Sequence, residues 1–429
     1  MLALTLFGIF FAIALAGVPL LYSILITTTG IIALQGLGHP LETIFLSFIG
    51  GVEPFILLAV PLFIFAGELL AQGGVGKRIV EFARVLFGWL PGGLGVVTVI
   101  SCTLFGGVSG SAIADTAAIG SLVIPAMGAR GYSRGFAAAL LAVAGTVALL
   151  MPLSIPFLVY AFISGVSMRT LSMAGLLPAL ATAAALIVMC MWHGKKSGVD
   201  NGEDRSTPAQ IRAAAKDAGP ALLMPLIIVG GIWSGKFTPS ESAAVAVFYG
   251  LAVSLFYYKD LSWRHIPQLM LNAFSTSATV MLVIGATGAM AWLITVEQVA
   301  VQMAEWIQLV ATEQWMFLIL FNICLLLLGI FIEPLPAMLL SAPLFLPLAK
   351  HFGMDMVHVG VVMTANLAIA LYTPPVGGTL FVAAKLAHAG IGEITRHLWP
   401  LMAATFTVVL LITYVPALST WLPRFIQSL

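Results

Sequence analysis

The chain has 429 residues, 61% of them hydrophobic and 8% charged, with a mean hydropathy of +1.09. A soluble domain carries about 25% charged residues, so a water-covered surface is excluded and a polytopic membrane protein remains. Eighteen Lys and Arg against 17 Asp and Glu leave a net charge of +1, which argues against a nucleic-acid partner or an anionic-lipid footprint.

The first apolar run, Met1 to Leu34, lacks a basic start and exceeds the apolar core of a signal peptide, so it reads as a retained membrane segment. At about 1.5 Å per residue it could reach roughly 50 Å against a hydrocarbon core of about 30 Å, which predicts tilt or a break at Gly17-Val18-Pro19. Further apolar runs follow at 41–72, 85–126, 135–168, 171–192, 219–234, 241–258, 266–295, 315–349, 357–388 and 398–422. Cys102, Cys190 and Cys324 lie within such runs, with neither a disulfide framework nor zinc spacing. His193 to Ala218 is the one hydrophilic stretch of length and reads as an exposed linker between two membrane halves.

Two runs are too long for one span and are interrupted near their middles, by Gly106-Gly107-Val108-Ser109-Gly110-Ser111 and by Glu333-Pro334-Leu335-Pro336. Helix, polar or Gly/Pro tip, helix is the pattern of a re-entrant hairpin, and irregular backbone at membrane depth survives only inside protein or beside a wet cavity. The halves also repeat. Pro125, Pro152 and Pro178 recur 222 positions later as Pro347, Pro374 and Pro400, and at that offset Gly107 meets Gly329 and Ala148-Leu149 meets Ala370-Leu371.

Charge orients the copies. Lys77, Arg78 and Arg84 make the segment before the first hairpin basic, whereas its counterpart in 297–313 holds Glu297, Glu305 and Glu313 without Lys or Arg. The positive-inside rule places the first segment in the cytoplasm and the second outside, so the repeats are inverted. This trace needs nine full spans.

In inverted-repeat transporters, sites form near the midplane from interrupted helices. Four interruptions qualify: the two hairpin tips, Gly145-Thr146 to Pro152-Leu153-Ser154, and Asn366 to Thr373-Pro374-Pro375-Val376-Gly377-Gly378-Thr379. Proline frees an upstream carbonyl and glycine permits close backbone approach. Freed carbonyls with Ser, Thr and Asn oxygens are hard neutral ligands suited to Na⁺. Asp115, within an apolar helix, is either an ion or proton site or a carboxylate accepting local amide bonds, and Glu333 has the same two readings. Glu68 and Glu53 read as interhelical or interfacial. Thr238-Pro239-Ser240-Glu241 reads as a capping box.

Gly107-Val108-Ser109-Gly110 also fits the Gly-x-Ser-Gly of intramembrane serine proteases. The seven histidines sit in loops or near span ends without a supporting catalytic signature, so no enzyme is expected. A phosphate-binding glycine motif is likewise missing, which excludes ATP-driven transport by this chain. A Na⁺-translocating membrane subunit of an enzyme complex is the remaining rival.

The run Gly107-Val108-Ser109-Gly110-Ser111-Ala112-Ile113-Ala114-Asp115-Thr116-Ala117-Ala118-Ile119-Gly120, then Ile124-Pro125-Ala126-Met127, resembles the signature of the large membrane subunit of tripartite ATP-independent periplasmic (TRAP) transporters. Phe237 to Ala244, Pro336-Ala337-Met338, Asn366 to Ile369 and Thr373 to Gly377 match in order, and the similarity covers essentially the whole chain. Met151-Pro152-Leu153-Ser154 lacks the family's second proline, while Glu333 and Leu335 stand where Asp and Thr are common.

The resemblance implies an all-α, elevator-type secondary transporter driven by a Na⁺ gradient in a bacterial inner membrane. It also implies a separate small four-helix membrane subunit and a periplasmic substrate-binding protein as partners. Na⁺ neighbourhoods carried over by position fall at Ser109, Ser111 and Asp115 with Gly145 and Thr146, and at Gly329 and Glu333 with Asn366 and Thr373. For a small organic anion (a carboxylate or sulfonate), the expected contacts are Ser109, Gly110, Ser111, Ser154, Pro336, Thr373, Pro375, Gly377 and Thr379. Residues 1–72 and 219–295 are expected as scaffold, 73–88 as a cytoplasmic arm, 193–218 as a cytoplasmic linker and 296–314 as an external arm. Residues 89–192 (hairpin 89–127, broken helix 135–168) and 315–422 (hairpin 315–349, broken helix 357–388) are expected as the two halves of a transport unit.

Overall fold

Helix starts in this chain follow capping chemistry. Ser111, Ser133, Ser154, Thr207, Thr238 and Asp355 each accept a backbone N–H from the first turn of the helix they precede, and proline opens the helices at 208, 239 and 334. The capping box at Thr238 and Glu241 is present, and a second joins Thr207 to Gln210.

The computed structural model describes residues 2–35, 38–299, 301–303 and 312–427. In the first half, α1 (Leu2–Leu15), α2 (Leu20–Gln35), α3 (Glu42–Val52) and α4 (Ala59–Gln72) precede the arm α5 (Val75–Phe87). The expected break falls between α1 and α2, with Gly17 at φ 89°. The first hairpin is α6 (Gly93–Ser109) and α7 (Ala112–Ala129). The first broken helix is α8 (Arg134–Gly145), a 3₁₀ turn over Thr146–Leu150, and α9 (Ile155–Ser164). Next come α10 (Met168–Ser197), α11 (Pro208–Trp233), α12 (Pro239–Ala252) and α13 (Ile266–Val296). The second hairpin is α14 (Gln314–Phe331) and α15 (Pro334–His351), the second broken helix α16 (Met356–Ala370) and α17 (Gly378–Ala387), and α18 (Ile391–Tyr414) and α19 (Ala417–Gln427) close the chain.

The 222-residue offset lines up elements of this architecture. Under the 222-residue offset α7 maps onto α15, α8 onto α16, α9 onto α17 and α10 onto α18, and the scaffold helices α1, α2 and α4 map onto α11, α12 and the latter part of α13. Packing is reciprocal under the same mapping. The first hairpin's α7 lies on α17 while the second hairpin's α15 lies on α9, and α4 meets α12 as α13 meets α2. Such exchange is what a two-fold relation between halves produces. The broken helices sit at the centre. The Arg134–Ser164 stretch is almost wholly buried, whereas α11 and α14 turn most of their surface outward. A helix apolar all round is a buried one, and these segments follow that rule.

Nine helices among the described residues are long and apolar enough to cross a membrane. Two of them, Ala112–Ala129 and Gln314–Phe331, are hairpin arms, so length alone does not assign each a full crossing. The stretch expected as an exposed linker is shorter than its polarity suggests. α10 continues to Ser197, α11 starts at Pro208, and Asp200 between them is buried. Polar residues here cover helix ends rather than a free loop. Within the expected external arm, 304–311, including Glu305, lie outside the described residues.

Candidate functional site

The first tip is a left-handed glycine turn. Gly110 has φ 61°, and a Cβ there would lie 2.5 Å from the Leu153 carbonyl and 3.1 Å from Ser154 Cα. Only glycine lets the tip press so closely on the break of the first broken helix. Ser111 caps α7 by accepting from Ala114 N at 3.4 Å, and its own N–H donates to Ser109 Oγ at 3.2 Å. The Ser109 hydroxyl donates to the Asp115 carboxylate. Asp115 is fully buried, and its Oδ2 has no hydrogen-bond partner. A buried carboxylate oxygen left unpaired is expensive, and a cation beside it is one way to offset that.

The second tip is built differently. Ile332 is extended at φ −127°, Glu333 occupies the N-cap without a side-chain cap bond, and Pro334 begins α15. The Glu333 side chain therefore stays free of its own helix and opens onto the cavity described below. Both hairpins approach their broken helices through glycine. A Cβ on Gly106 would lie 2.6 Å from Ala148 Cβ, and one on Gly329 2.5 Å from Ala370 Cβ.

In the first break, Gly145 packs against Thr116, the Thr146 hydroxyl donates to Val143 O at 2.8 Å, and Ser154 caps α9. In the second, the Thr373 hydroxyl donates to Ile369 O at 2.8 Å, and the Thr379 hydroxyl to Leu371 O at 3.2 Å. Asn366 Nδ2 donates to Asn322 Oδ1 at 2.5 Å and to Val362 O at 2.8 Å, and Thr413 also donates to Asn322 Oδ1, at 3.3 Å. Asn366 Oδ1 and Asn322 Nδ2 are buried without partners. Between the two breaks lies a void of about 10 Å³, lined by Thr146, Thr182, Tyr372 and Thr405 among others.

Both tips face one cavity of about 660 Å³. Ser109, Gly110, Ser111 and Glu333 line it, joined by Ile155 and Pro156 from the start of α9, Leu371 from the second break, and Glu68, Gln72 and Thr276 from the scaffold. The N-termini of α7, α9 and α15 therefore converge on one space, and among the described residues no Lys or Arg lines it. Each helix start carries roughly half a positive charge in unpaired N–H groups. Pro336, Ser154, Thr379, Asp115, Gly145, Thr146, Gly329 and Asn366 are buried and do not line the cavity, and neither do Thr373, Pro375 and Gly377 of the second break. Glu68, read from sequence as interhelical or interfacial, lines the cavity, and Asn322 had no sequence signal beyond being a lone amide in an apolar run.

Comparison with known proteins is consistent along the whole chain. The family model described as the tripartite ATP-independent periplasmic transporter, DctM component, matches residues 7–418. The C4-dicarboxylate TRAP transporter large permease protein DctM of Rhodobacter capsulatus is 35% identical over 439 residues, covering 99% of both chains. The sialic acid TRAP transporter large permease protein SiaM of Vibrio cholerae is 36% identical, with 88% of each chain covered. The isethionate TRAP transporter permease protein DctMQ of Oleidesulfovibrio alaskensis is 36% identical across 96% of this chain and 65% of that protein. These relatives are permease proteins, not enzymes. Among solved structures, the Alcanivorax borkumensis YdaH transporter shares the fold with a TM-score of 0.53 at 14% identity, over 99% of this chain and 98% of that one. The chain is a large permease subunit of the tripartite ATP-independent periplasmic transporter family, DctM component.

Proposed function

We propose that this subunit imports a small organic anion, a carboxylate or sulfonate, across a bacterial inner membrane, driven by a Na⁺ gradient. The anion arrives from a periplasmic binding protein, and a separate small four-helix membrane subunit completes the transporter. The observation that carries the reading is the single cavity on which three helix N-termini converge without Lys or Arg. Helix starts and hydroxyls attract an anion, yet Glu68 and Glu333 on the same walls repel it. Positive charge must come from elsewhere, and bound Na⁺ supplies it. The orphaned Asp115 Oδ2 and Asn366 Oδ1 support this, because oxygen-only donors suit a hard cation. Among the described residues no group of three or more His, Cys, Asp or Glu gathers, so the donor chemistry does not favour a transition metal.

The two hairpins and two broken helices would move together as an elevator against α1–α4 and α11–α13. Reciprocal packing of the halves, with opposite charge on the arms at 73–88 and 296–314, supports inverted repeats with access from either side. The names of relatives suggest the substrate class: C4-dicarboxylate, sialic acid and isethionate are all small organic anions. The test is uptake of labelled succinate, isethionate and sialic acid into proteoliposomes carrying both membrane subunits, with the cognate binding protein added outside. Accumulation of one of these under an inward Na⁺ gradient is expected. Equal accumulation without the gradient would refute Na⁺ coupling.

A further inference from the structure

The arm helix α5 is gripped at its two ends by different parts of the molecule. Near its start, Arg78 stacks over the Tyr258 ring at 3.7 Å, with Nη1 2.5 Å from Asp260 and Nε 3.5 Å from Asp217. Those partners lie on α11 and just beyond α12, so this end belongs to the scaffold helices. Near its other end, Arg84 Nη1 lies 2.9 Å from Glu203 Oε2, Glu203 N donates to Gly88 O at 2.9 Å, and Arg205 stacks on Trp89 at 4.2 Å. Glu203 and Arg205 belong to the connection between α10 and α11.

That connection also ties both feet of the first hairpin. The Asp200 carbonyl accepts from Gly92 N at 2.7 Å, and its Oδ2 accepts from Leu94 N and from the Tyr132 hydroxyl, each at 3.0 Å. Its Oδ1 accepts from Gly202 N at 3.2 Å and lies 3.6 Å from Arg130, whose other nitrogen meets Glu203 at 2.5 Å. Gly92 and Leu94 flank the start of α6, where first-turn amides have no intrahelical acceptor and negative charge is favoured. Arg130 and Tyr132 follow the end of α7. One carboxylate, 3% exposed, thus closes the base of the hairpin. A buried charge with this many partners is costly to release.

We propose that Asp200 and Glu203 strap the two feet of the first hairpin and the far end of α5 into one rigid piece, so that the connection travels with the transport unit. The remaining freedom between the units then falls around Ser206, ahead of the Thr207 capping box, and at the Arg78 grip. Asp200 is a positioning residue, and this role rests on the proposed movement of one unit against the other.

Hydrogen exchange on the complete transporter in lipid tests the strap without reference to uptake. Peptides holding the Gly92, Leu94, Gly202 and Glu203 amides should exchange at least about tenfold more slowly than the one holding Ser206, with and without Na⁺. Asp200→Ala should release Leu94, whose acceptor is the carboxylate, and lower the maximal uptake rate, leaving half-saturation for the anion unchanged. Asp200→Asn, which keeps an acceptor for Leu94 N, should recover most of both. Arg130→Cys with Glu203→Cys, joined by a short bifunctional thiosulfonate, should transport as fast as the unjoined pair. Fast exchange of the four amides in the unmodified protein, or loss of uptake on joining that is reversed by reduction, overturns the strap. A transporter that ignores the Na⁺ gradient yet keeps these amides protected overturns only the transport reading.

Discussion

The two hairpin tips occupy corresponding positions under the 222-residue offset but handle their carboxylates in opposite ways. At the first, Asp115 turns inward one helical turn past the tip, accepts the Ser109 hydroxyl and keeps one oxygen unpartnered in a dry setting. At the second, Glu333 sits at the tip itself and opens onto the cavity. Corresponding positions thus differ in backbone, left-handed at Gly110 and extended at Ile332, as well as in chemistry. The inward acid is fully buried, whereas the outward acid lines the cavity.

This contrast can be broken by substitution, starting with the inward acid. Asp115→Ala strands the Ser109 hydroxyl, a cost of about 1–3 kcal/mol, and removes an oxygen of the proposed coupling-ion site. Uptake should fall to roughly a tenth or less, with a lower thermal midpoint in detergent. Gly329→Ala should come next, since its new methyl would overlap Ala370 Cβ at 2.5 Å. Overpacking of about 1–3 kcal/mol should slow uptake at every Na⁺ concentration without changing Na⁺ half-saturation.

Ser111→Ala and Asn366→Ala should weaken Na⁺ activation several-fold while membrane insertion stays intact, read from Na⁺ titration of uptake. Unchanged activation in both would remove the ion sites from these neighbourhoods. Glu333→Gln should be milder still, shifting Na⁺ half-saturation by less than Asp115→Asn does. An equal or larger shift would reverse the assignment of the two acids. Smallest of all, Thr238→Ala loses a cap worth about 1 kcal/mol and should leave saturated uptake unchanged.

Much of this architecture was legible because local rules wrote it. The proline offset lined up α7 with α15 and α8 with α16, Gly17-Val18-Pro19 marked the break between α1 and α2, and Thr238 with Glu241 the start of α12. Ser109 to Ser111 and Glu333 were readable as tips because Gly and Pro interrupt long apolar runs. What sequence could not supply was pairing across space. Nothing local tells that Glu68, Gln72 and Thr276 wall the same cavity as both tips, or that Asn322 meets Asn366. Polarity also misled at Asp200, whose neighbours suggested an exposed linker although its partners at 94, 130 and 132 bury it.

Bound Na⁺ is proposed to supply the positive charge which the cavity walls lack. The most direct test of this proposal is anion uptake by the reconstituted transporter under an inward Na⁺ gradient, compared with equal Na⁺ on both sides and with K⁺ replacing Na⁺. Accumulation above equilibrium only under the Na⁺ gradient, lost in Asp115→Ala, is the predicted result. Accumulation that persists in K⁺ alone would contradict it.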